Sequence, residues 1–162
     1  MVQPLRAVHW PQIKKIYEQG IATGNATFQT TAPDWEEWDR AHILNSRIVA
    51  LEAEEVIGWA ALTAVSGRCV YAGVAEVSVY VSPIAQGKGV GKLLLHQLIE
   101  ESERNGFWTL QAGIFPENKA SIRIHEHAGF KILGTRTRIG KMNDIWRDTV
   151  LLERRSATVG VD

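Results

Sequence analysis

Apolar and polar residues alternate in the middle of the chain in the pattern of a half-buried strand. Val77, Val79 and Val81 point to one face, the residues between them point to the other, and Pro83 ends the run. Beyond it the apolar spacing becomes that of an amphipathic helix, which we expect to reach about Arg104. A strand that leads directly into a helix is therefore predicted. The apolar positions of the helix are Val90, Leu94, Leu95, Leu98 and Ile99.

The same patterns predict the remaining helices and strands. Further helices are expected from about Pro11 to Gly24, from Pro33, and from Asn118 to His127. The element order is then β-α-α-β-β-β-α-β-α-β-β, which indicates an α+β domain with a mixed, mostly antiparallel central sheet flanked by helices. The strands are expected at residues 2–7, 47–52, 56–64, 74–81, 109–115, 130–138 and 145–152.

Composition restricts the class of protein. A length of 162 residues with 45% hydrophobic content fits one domain, which we place at residues 1–155, followed by a flexible tail at 156–162. Basic and acidic residues both total 18, so no net charge favours nucleic acid or a membrane as a partner. The single cysteine, Cys69, excludes an internal disulfide, and no metal-ligand spacing predicts a metal. The first residues resemble neither a signal peptide nor a membrane span, so we expect a cytoplasmic protein.

Residues 86–91 place three glycines where the strand gives way to the helix. A helix N-terminus presents unpaired N–H groups, and glycine lets the backbone approach a phosphate, so an anionic ligand is expected. A Walker loop would need a glycine at Gln86 and a hydroxyl at Leu93, and a dinucleotide fingerprint would need a glycine at Lys92. Neither motif fits. The alternative is that the glycines only turn the strand into the helix.

The remaining pattern, Q-x-x-G-x-G, resembles the acyl-CoA loop of the GCN5-related N-acetyltransferases, and the element order resembles their fold. The chain is most similar to the phosphinothricin acetyltransferase branch of that superfamily. The resemblance implies acetyl transfer from acetyl-CoA to the primary amine of a small amino acid or analogue, by direct attack within a ternary complex. Phosphinothricin, methionine sulfone and methionine sulfoximine are the leading acceptors. The resemblance rests on Ile16-Tyr17, Thr27-Phe28, Tyr71, residues 75–81, residues 118–126, Gly129-Phe130, Gly140 and Trp146-Arg147-Asp148.

The resemblance also implies the positions that bind the donor. The N–H of Val79 is expected to face the thioester carbonyl, and pantetheine is expected to pair with Val79 and Val81 like an added strand. Asn118 and Ser121 are expected to face the pantetheine from the later helix, although Asn118 is equally suited to be a helix cap. The loop residues expected at the pyrophosphate are Gln86, Gly87, Lys88, Gly89, Val90 and Gly91.

Two residues are candidates for proton transfer. An amine is charged at neutral pH and must lose a proton before it attacks, so a base is required, and Glu76 stands on the strand that leads into the loop. His125 stands seven residues after Asn118, where many relatives carry a tyrosine that protonates the leaving thiolate. Its role as acid, base, relay or structural residue stays open. Glu76 has a structural alternative too, which is to orient backbone or pair with an arginine.

The acceptor site is defined least by the sequence. The resemblance brings Phe28, Tyr71 and Trp146 near the acceptor, and a homodimer is a habit of the family. Relatives that act on phosphinothricin commonly have an arginine after the phenylalanine, whereas this chain has Gln29. The positive charge that such an acceptor needs would then come from elsewhere. Candidates are Arg136, Arg138 and Lys141 on the late strands, and core packing is the preferred role of Trp35, Trp38 and Trp59.

Two other functions remain compatible with the sequence. One keeps acetyl-CoA but changes the acceptor to a protein N-terminus, a lysine or a polyamine. The other is an acyl-CoA sensor domain without catalysis.

Overall fold

A computed structural model describes all residues, 1–162, as seven strands and four helices in the predicted order. The strands are β1 Val2–Pro4, β2 Ile48–Glu52, β3 Glu55–Ala64, β4 Val74–Val81, β5 Thr109–Ile114, β6 Lys131–Met142 and β7 Ile145–Arg155. The helices are α1 Trp10–Ala22, α2 Trp35–Ala41, α3 Val90–Arg104 and α4 Lys119–His127. Short 3-10 turns precede α1, β4 and α3.

All seven strands form one sheet in the order β1-β2-β3-β4-β5-β7-β6. Only β4 and β5 run parallel, and every other neighbouring pair is antiparallel. The predicted mixed, mostly antiparallel sheet is therefore confirmed. The parallel ladder joins residues 74–76 to residues 109–111 and goes no further, although both strands continue. The two strands separate beyond Glu76 and leave a cleft in the middle of the sheet.

Each face of the sheet has its own hydrophobic core. On one face, α3 buries Leu94, Leu95 and Leu98 against strands β2 to β7. On the other face, α1 and α2 cover β1 to β4, and Trp38 and Trp59 are completely or almost completely buried there. This confirms the preferred core role of these two tryptophans. The remaining half of the second face, over β5 and β7, borders a cavity.

The ends of several strands differ from the prediction. β6 continues to Met142 because a register shift between Arg136 and Gly140 absorbs extra residues while the pairing with β7 is kept. β7 extends to Arg155, and β1 ends at Pro4. Residues 156–162 form no helix or strand, and their flexibility stays a prediction.

No helix combines the length and the apolar character needed to cross a membrane.

Candidate active site

A cavity of about 310 Å³, which we call the inner cavity, opens on the second face of the sheet. Its floor is formed by the separated ends of β4 and β5, and one wall is formed by the segment 26–29 between α1 and α2. Polar groups from distant parts of the chain meet in it. The polar and aromatic lining residues are Thr27, Phe28, Gln29, Thr63, Glu76, Ser78, Tyr80, Phe115, Asn118, Ser121, His125 and Thr149.

A longer groove of about 720 Å³, the outer groove, runs between the start of α3 and α4. It includes Val79 and Val81 of β4, Asn118 and Ser121 at the start of α4, and most of the glycine-rich loop. The groove and the inner cavity share a boundary, so a molecule in one can touch a molecule in the other. The residues that line both are Ala26, Val79, Tyr80, Asn118, Ser121 and His125.

The separation of β4 from β5 leaves backbone groups of β4 without partners. In a strand, successive residues direct their N–H and C=O groups to opposite neighbours. The carbonyl of Val74 and the N–H of Ser82 bond to the β3 side, at 3.4 and 2.8 Å. The groups of Val79 and Val81 therefore face the β5 side, where the ladder has already ended. An extended ligand in the groove can pair with them as an additional strand.

The glycine-rich loop presents unpaired amides at the start of α3. Gly89 precedes the helix in the left-handed conformation, with φ of 80°, and a Cβ there would meet no atom within 4 Å. The N–H groups of Gly89, Val90 and Gly91 have no backbone acceptor, whereas the N–H of Lys88 approaches the carbonyl of Ala85 at 3.4 Å. The positive end of a fifteen-residue helix thus faces the open groove. Gln86 and Gly87 line the groove, and Lys88 does not.

Glu76 is the last paired residue of the parallel ladder and lies on the floor of the inner cavity. Burial raises the pKa of its carboxyl group above the ordinary value, and the charge of Arg136 and the backbone of Gly113 oppose that rise. The carboxyl group of Glu76 can approach the backbone of Gly113 closely because glycine has no side chain. A Cβ on Gly113 would lie 3.4 Å from Glu76 Oε1. A carboxylate with a raised pKa is a better proton acceptor than an exposed one.

His125 lies at the junction of the two cavities and is 5% exposed. Its Nδ1 lies 2.7 Å from the carbonyl oxygen of Ser121. A carbonyl only accepts hydrogen bonds, so Nδ1 carries the hydrogen and the neutral ring keeps its lone pair on Nε2. Burial lowers the pKa of His125, and the Ser121 hydrogen bond opposes that change. The uncharged ring can therefore accept a proton at Nε2.

Asn118 has the helix-capping geometry that the sequence predicts. Its Oδ1 accepts from the N–H of Ser121 at 3.3 Å, and its Nδ2 donates to the carbonyl of Asn25 at 3.3 Å. The spacing of Asn118, Ser121 and His125 places all three on the face of α4 that borders both cavities.

The three predicted acceptor residues lie in different places. Phe28 lines the inner cavity and packs edge-on against Phe115, with ring centroids 4.9 Å apart. Tyr71 lies outside both cavities, beside Arg68. Trp146 also lies outside them, on the face of the β6–β7 hairpin opposite to Gly140, with Lys141 over its ring.

Among the candidate cations, the backbone register favours Arg136. Directly paired residues share a face of the sheet, and Arg136 pairs with Thr149, which lines the inner cavity. Arg136 has no ion-pair partner. Lys141 pairs with Trp146 on the other face and lies 3.7 Å from Asp144.

Known proteins identify the family to which this arrangement corresponds. The sequence profile described as Acetyltransferase (GNAT) family matches residues 10–130. The chain belongs to this GNAT family. It is an acetyl-CoA-dependent N-acetyltransferase by class, and its mixed sheet is the fold of the family.

Named relatives place the acetyltransferase in a particular branch. It is 34% identical to the phosphinothricin N-acetyltransferase of Alcaligenes faecalis over 159 residues, which covers 94% of this chain and 81% of the relative. It is 33% identical to the L-methionine sulfoximine/L-methionine sulfone acetyltransferase of Salmonella typhimurium, over 76% of this chain and 79% of that one. The crystal structure of a Sinorhizobium meliloti phosphinothricin acetyltransferase in complex with AcCoA superposes with a TM-score of 0.89 at 29% identity, over 100% of this chain and 91% of that one.

The structure also adds residues to the site of this acetyltransferase that sequence patterns missed. Tyr80 lines both cavities, stacks on Trp59 at 4.7 Å and has a pKa raised by burial, so its hydroxyl stays protonated. Strand alternation could have predicted this position, because Tyr80 follows Ser78 by two residues and Glu76 by four and so shares their face of β4. Thr63 and Thr149 carry no such signal, because strand pairing alone places Thr63 opposite Glu76 and the order of strands in the sheet alone brings Thr149 to the same cavity. No group of three or more His, Cys, Asp or Glu side chains could hold a metal ion.

Proposed function

We propose that this enzyme transfers the acetyl group of acetyl-CoA to the primary amine of a small amino acid or analogue, as a cytoplasmic homodimer. The observation that supports the proposal is the meeting of two cavities at the imidazole of His125, with the carboxylate of Glu76 on the floor of the inner one. One cavity has the backbone groups that an acyl-CoA requires, and the other has the size and polarity for a small acceptor. The single cysteine is exposed and unpaired, as suits a reducing compartment.

The donor side fits acetyl-CoA at both ends. The unpaired amides of Gly89, Val90 and Gly91 suit the pyrophosphate, since they add the N–H groups of a loop to the positive end of α3. The unpaired groups of Val79 and Val81 suit the amides of pantetheine. Bound in this way, the thioester would lie at the junction of the cavities, where the N–H of Val79 stabilises the negative charge that builds on its carbonyl oxygen.

Glu76 acts as the base in the proposed mechanism. An acceptor ammonium enters the inner cavity, and the carboxylate takes its proton directly or through a water. The neutral amine then attacks the acetyl carbon, a C–N bond forms, and the C–S bond breaks to release the thiolate of CoA. Because burial raises the pKa of Glu76, the carboxylate binds the proton more tightly than an exposed glutamate would.

His125 completes the proton path at the donor side. The neutral ring has its lone pair on Nε2, so it cannot begin as an acid and must first accept a proton. We propose that it acts as a relay, accepting the second proton, which the nitrogen loses after the C–N bond forms, and delivering it to the departing thiolate. The bond from Nδ1 to Ser121 holds the ring in this tautomer throughout.

The inner cavity supports a small acceptor that carries a negative group. Its volume of about 310 Å³ suits an amino acid, and Glu76 and Arg136 place one negative and one positive charge on the same side of the sheet. The amine of an amino acid can then approach Glu76 while its carboxylate faces Arg136. This division of charge compensates for Gln29, which stands where relatives that act on phosphinothricin have an arginine.

A steady-state screen with acetyl-CoA and a thiol reagent tests the proposed acceptor class. Phosphinothricin, methionine sulfone and methionine sulfoximine should release CoA thiol far faster than polyamines or peptides with a free N-terminus or a lysine side chain do. Turnover of peptides or polyamines alone would assign the enzyme to a different acceptor class. Acetyl-CoA binding by calorimetry without turnover of any amine would instead indicate a sensor.

Replacement of Arg136 by Gln should weaken the binding of acceptors that carry a carboxylate and leave the binding of other acceptors unchanged. We expect KM for such an amino acid to rise about 10-fold, as for the loss of one charge-assisted hydrogen bond, while its carboxamide analogue is unaffected. The matched control is Arg138→Gln, because the structural contact of Arg138 is made by its backbone N–H to Asp148 at 2.7 Å. An equal effect of Arg136→Gln on both acceptors would remove Arg136 from carboxylate recognition.

The last hairpin supports the proposed homodimer. β6 is a twelve-residue edge strand, and apolar side chains on this hairpin are about half exposed or more, which is unusual for an uncovered edge. Replacement of Ile145, 64% exposed, by Asp should shift the molar mass measured by light scattering from dimer to monomer. Val161→Asp, at equal exposure outside the hairpin, is the control. A monomeric wild type would contradict the proposal. The apolar residues concerned are Ile132, Leu133, Ile139, Ile145 and Trp146.

A further inference from the structure

The loop at residues 23–34, which joins α1 to α2, forms the wall between the two cavities. Asn25 lines the outer groove, Phe28 lines the inner cavity, and Ala26 between them lines both. The loop contains no helix or strand. Its internal hydrogen bonds are local, such as those from the N–H of Asn25 to Thr23 Oγ1 at 3.2 Å and from the N–H of Gln29 to Thr27 Oγ1 at 3.1 Å. Local bonds shape a loop but do not fix its position on the sheet.

Arg147 of β7 connects this loop to the rest of the molecule. Its Nη1 donates to the carbonyl of Gly24 at 2.8 Å, and its Nη2 donates to Asn25 Oδ1 at 2.9 Å. Nη2 also reaches Glu117 Oε2 at 3.3 Å, and the guanidinium lies 4.0 Å above the ring of Phe115. One half-buried guanidinium thus joins the loop, β7 and the segment that leads into α4.

The residue paired with Arg147 on β6 holds the other end of the same wall. That residue is Gly140, and a Cβ there would lie 2.8 Å from Cζ of Phe28. The ring of Phe28 therefore rests on bare backbone. Two paired residues of the sheet therefore contact the loop at two places. Gly140 packs against Phe28, and Arg147 bonds to Gly24 and Asn25.

We infer that Arg147 is a positioning residue that holds the wall between the donor and acceptor cavities and thereby keeps water away from the thioester. The inference rests on the proposed function, which defines what each cavity binds. When the wall moves, water in place of the amine can attack the acetyl carbon. A C–O bond forms, the C–S bond breaks, and the products are acetate and free CoA thiol. Arg147 should therefore favour transfer over hydrolysis without touching either substrate.

The variant Arg147→Met tests this inference by the ratio of hydrolysis to transfer. Thiol release without acceptor, divided by acetylated product at saturating acceptor, should rise about 10-fold or more, and the acceptor KM should rise with it. Arg147→Lys keeps the charge but lacks the planar fork, and should fall between Met and wild type. The control is Arg154→Met, since Arg154 on the same strand is similarly half-buried and bonds to Glu103 at 2.9 Å, away from both cavities. It should lower Tm and leave the ratio unchanged.

Two further variants and one measurement keep the test decisive if Arg147→Met folds poorly. Asn25→Ala removes one acceptor of the guanidinium, and its effect on the ratio should not add to that of Arg147→Met. Gly140→Val displaces Phe28 directly and should raise the ratio with Arg147 intact. Hydrogen exchange of residues 24–29 should be faster in Arg147→Met than in Arg154→Met. This measurement requires no acceptor substrate, so it applies even if no acetylated amine is found.

The outcomes separate this inference from the proposed function. A wild type that acetylates no small amino acid contradicts the function, while exchange at residues 24–29 still tests the role of Arg147. An active wild type whose ratio and exchange respond equally to Arg147→Met and Arg154→Met overturns the positioning role.

Discussion

Replacement of Glu76 by Gln should lower kcat by at least about 100-fold, which corresponds to about 2.7 kcal/mol of transition-state stabilisation. The substitution keeps the shape of the side chain on the cavity floor but removes the only carboxylate there. Amide nitrogen and oxygen cannot take the proton that the acceptor ammonium must lose. Acetyl-CoA binding, measured by calorimetry, should change little because Glu76 does not line the outer groove.

The pH dependence of kcat/KM provides a second test of Glu76 as the base. The pKa of Glu76 is raised by burial, so the wild-type rate should fall as pH drops through a value above the ordinary one, where the carboxylate becomes protonated. Glu76→Gln has no group that titrates there and should lose this limb, while the limb due to the amine remains. The control is Glu153→Gln. Glu153 lies on the same face of the sheet as Glu76, because both residues pair with Gln111, but Glu153 is outside the inner cavity. An unchanged limb in Glu76→Gln would assign proton transfer to another group.

Replacement of Gly89 by Val should raise KM for acetyl-CoA by about 10- to 100-fold, as expected when hydrogen bonds to a charged phosphate are lost. The left-handed conformation at this position suits glycine, and an L side chain there costs about 1–2 kcal/mol. The new side chain would also stand in the open space beside the amides at the start of α3.

Gly106 offers a matched control for the backbone strain. Its φ is 82°, close to the 80° of Gly89, and a Cβ at either position meets no atom within 4 Å. Gly106 follows the end of α3 rather than its start. Gly89→Val and Gly106→Val should therefore lose similar free energy of unfolding in denaturant titrations, and only the former should raise KM. Equal KM values in the two variants would show that the glycine-rich loop does not contact the donor.

Local patterns predicted the elements of the fold because each element has its own periodicity. The α4 face that carries Asn118, Ser121 and His125 followed from helical spacing alone, and so did the strand that leads into the glycine-rich loop. The place of β7 between β5 and β6 did not, since strand order depends on pairing between distant segments. The length of β6 was underestimated because a register shift has no periodic signal.

The acceptor site was harder to predict than the donor site for a related reason. Most of the proposed donor residues come from one continuous strand, loop and helix start, and Asn118 and Ser121 share one face of α4, so counts along the chain find them. Residues of the inner cavity come from four strands, two loops and α4, and Thr63, Glu76 and Thr149 meet only through the pairing and order of the strands. The contact of Arg147 with Gly24 spans most of the sequence, and neither residue is unusual in its local context.

Because β4 separates from β5, the free energy of unfolding of this protein should depend on the concentration of the ligand that binds between the two strands. Val79 and Val81 belong to an interior strand, yet their backbone groups facing β5 have no partner in the chain. A molecule that satisfies these groups binds the folded chain and has no such site in the unfolded one. At a concentration 100 times its Kd, it adds about 2.7 kcal/mol to the free energy of unfolding. The amount of folded protein in a cell should therefore follow the availability of the ligand that completes this strand.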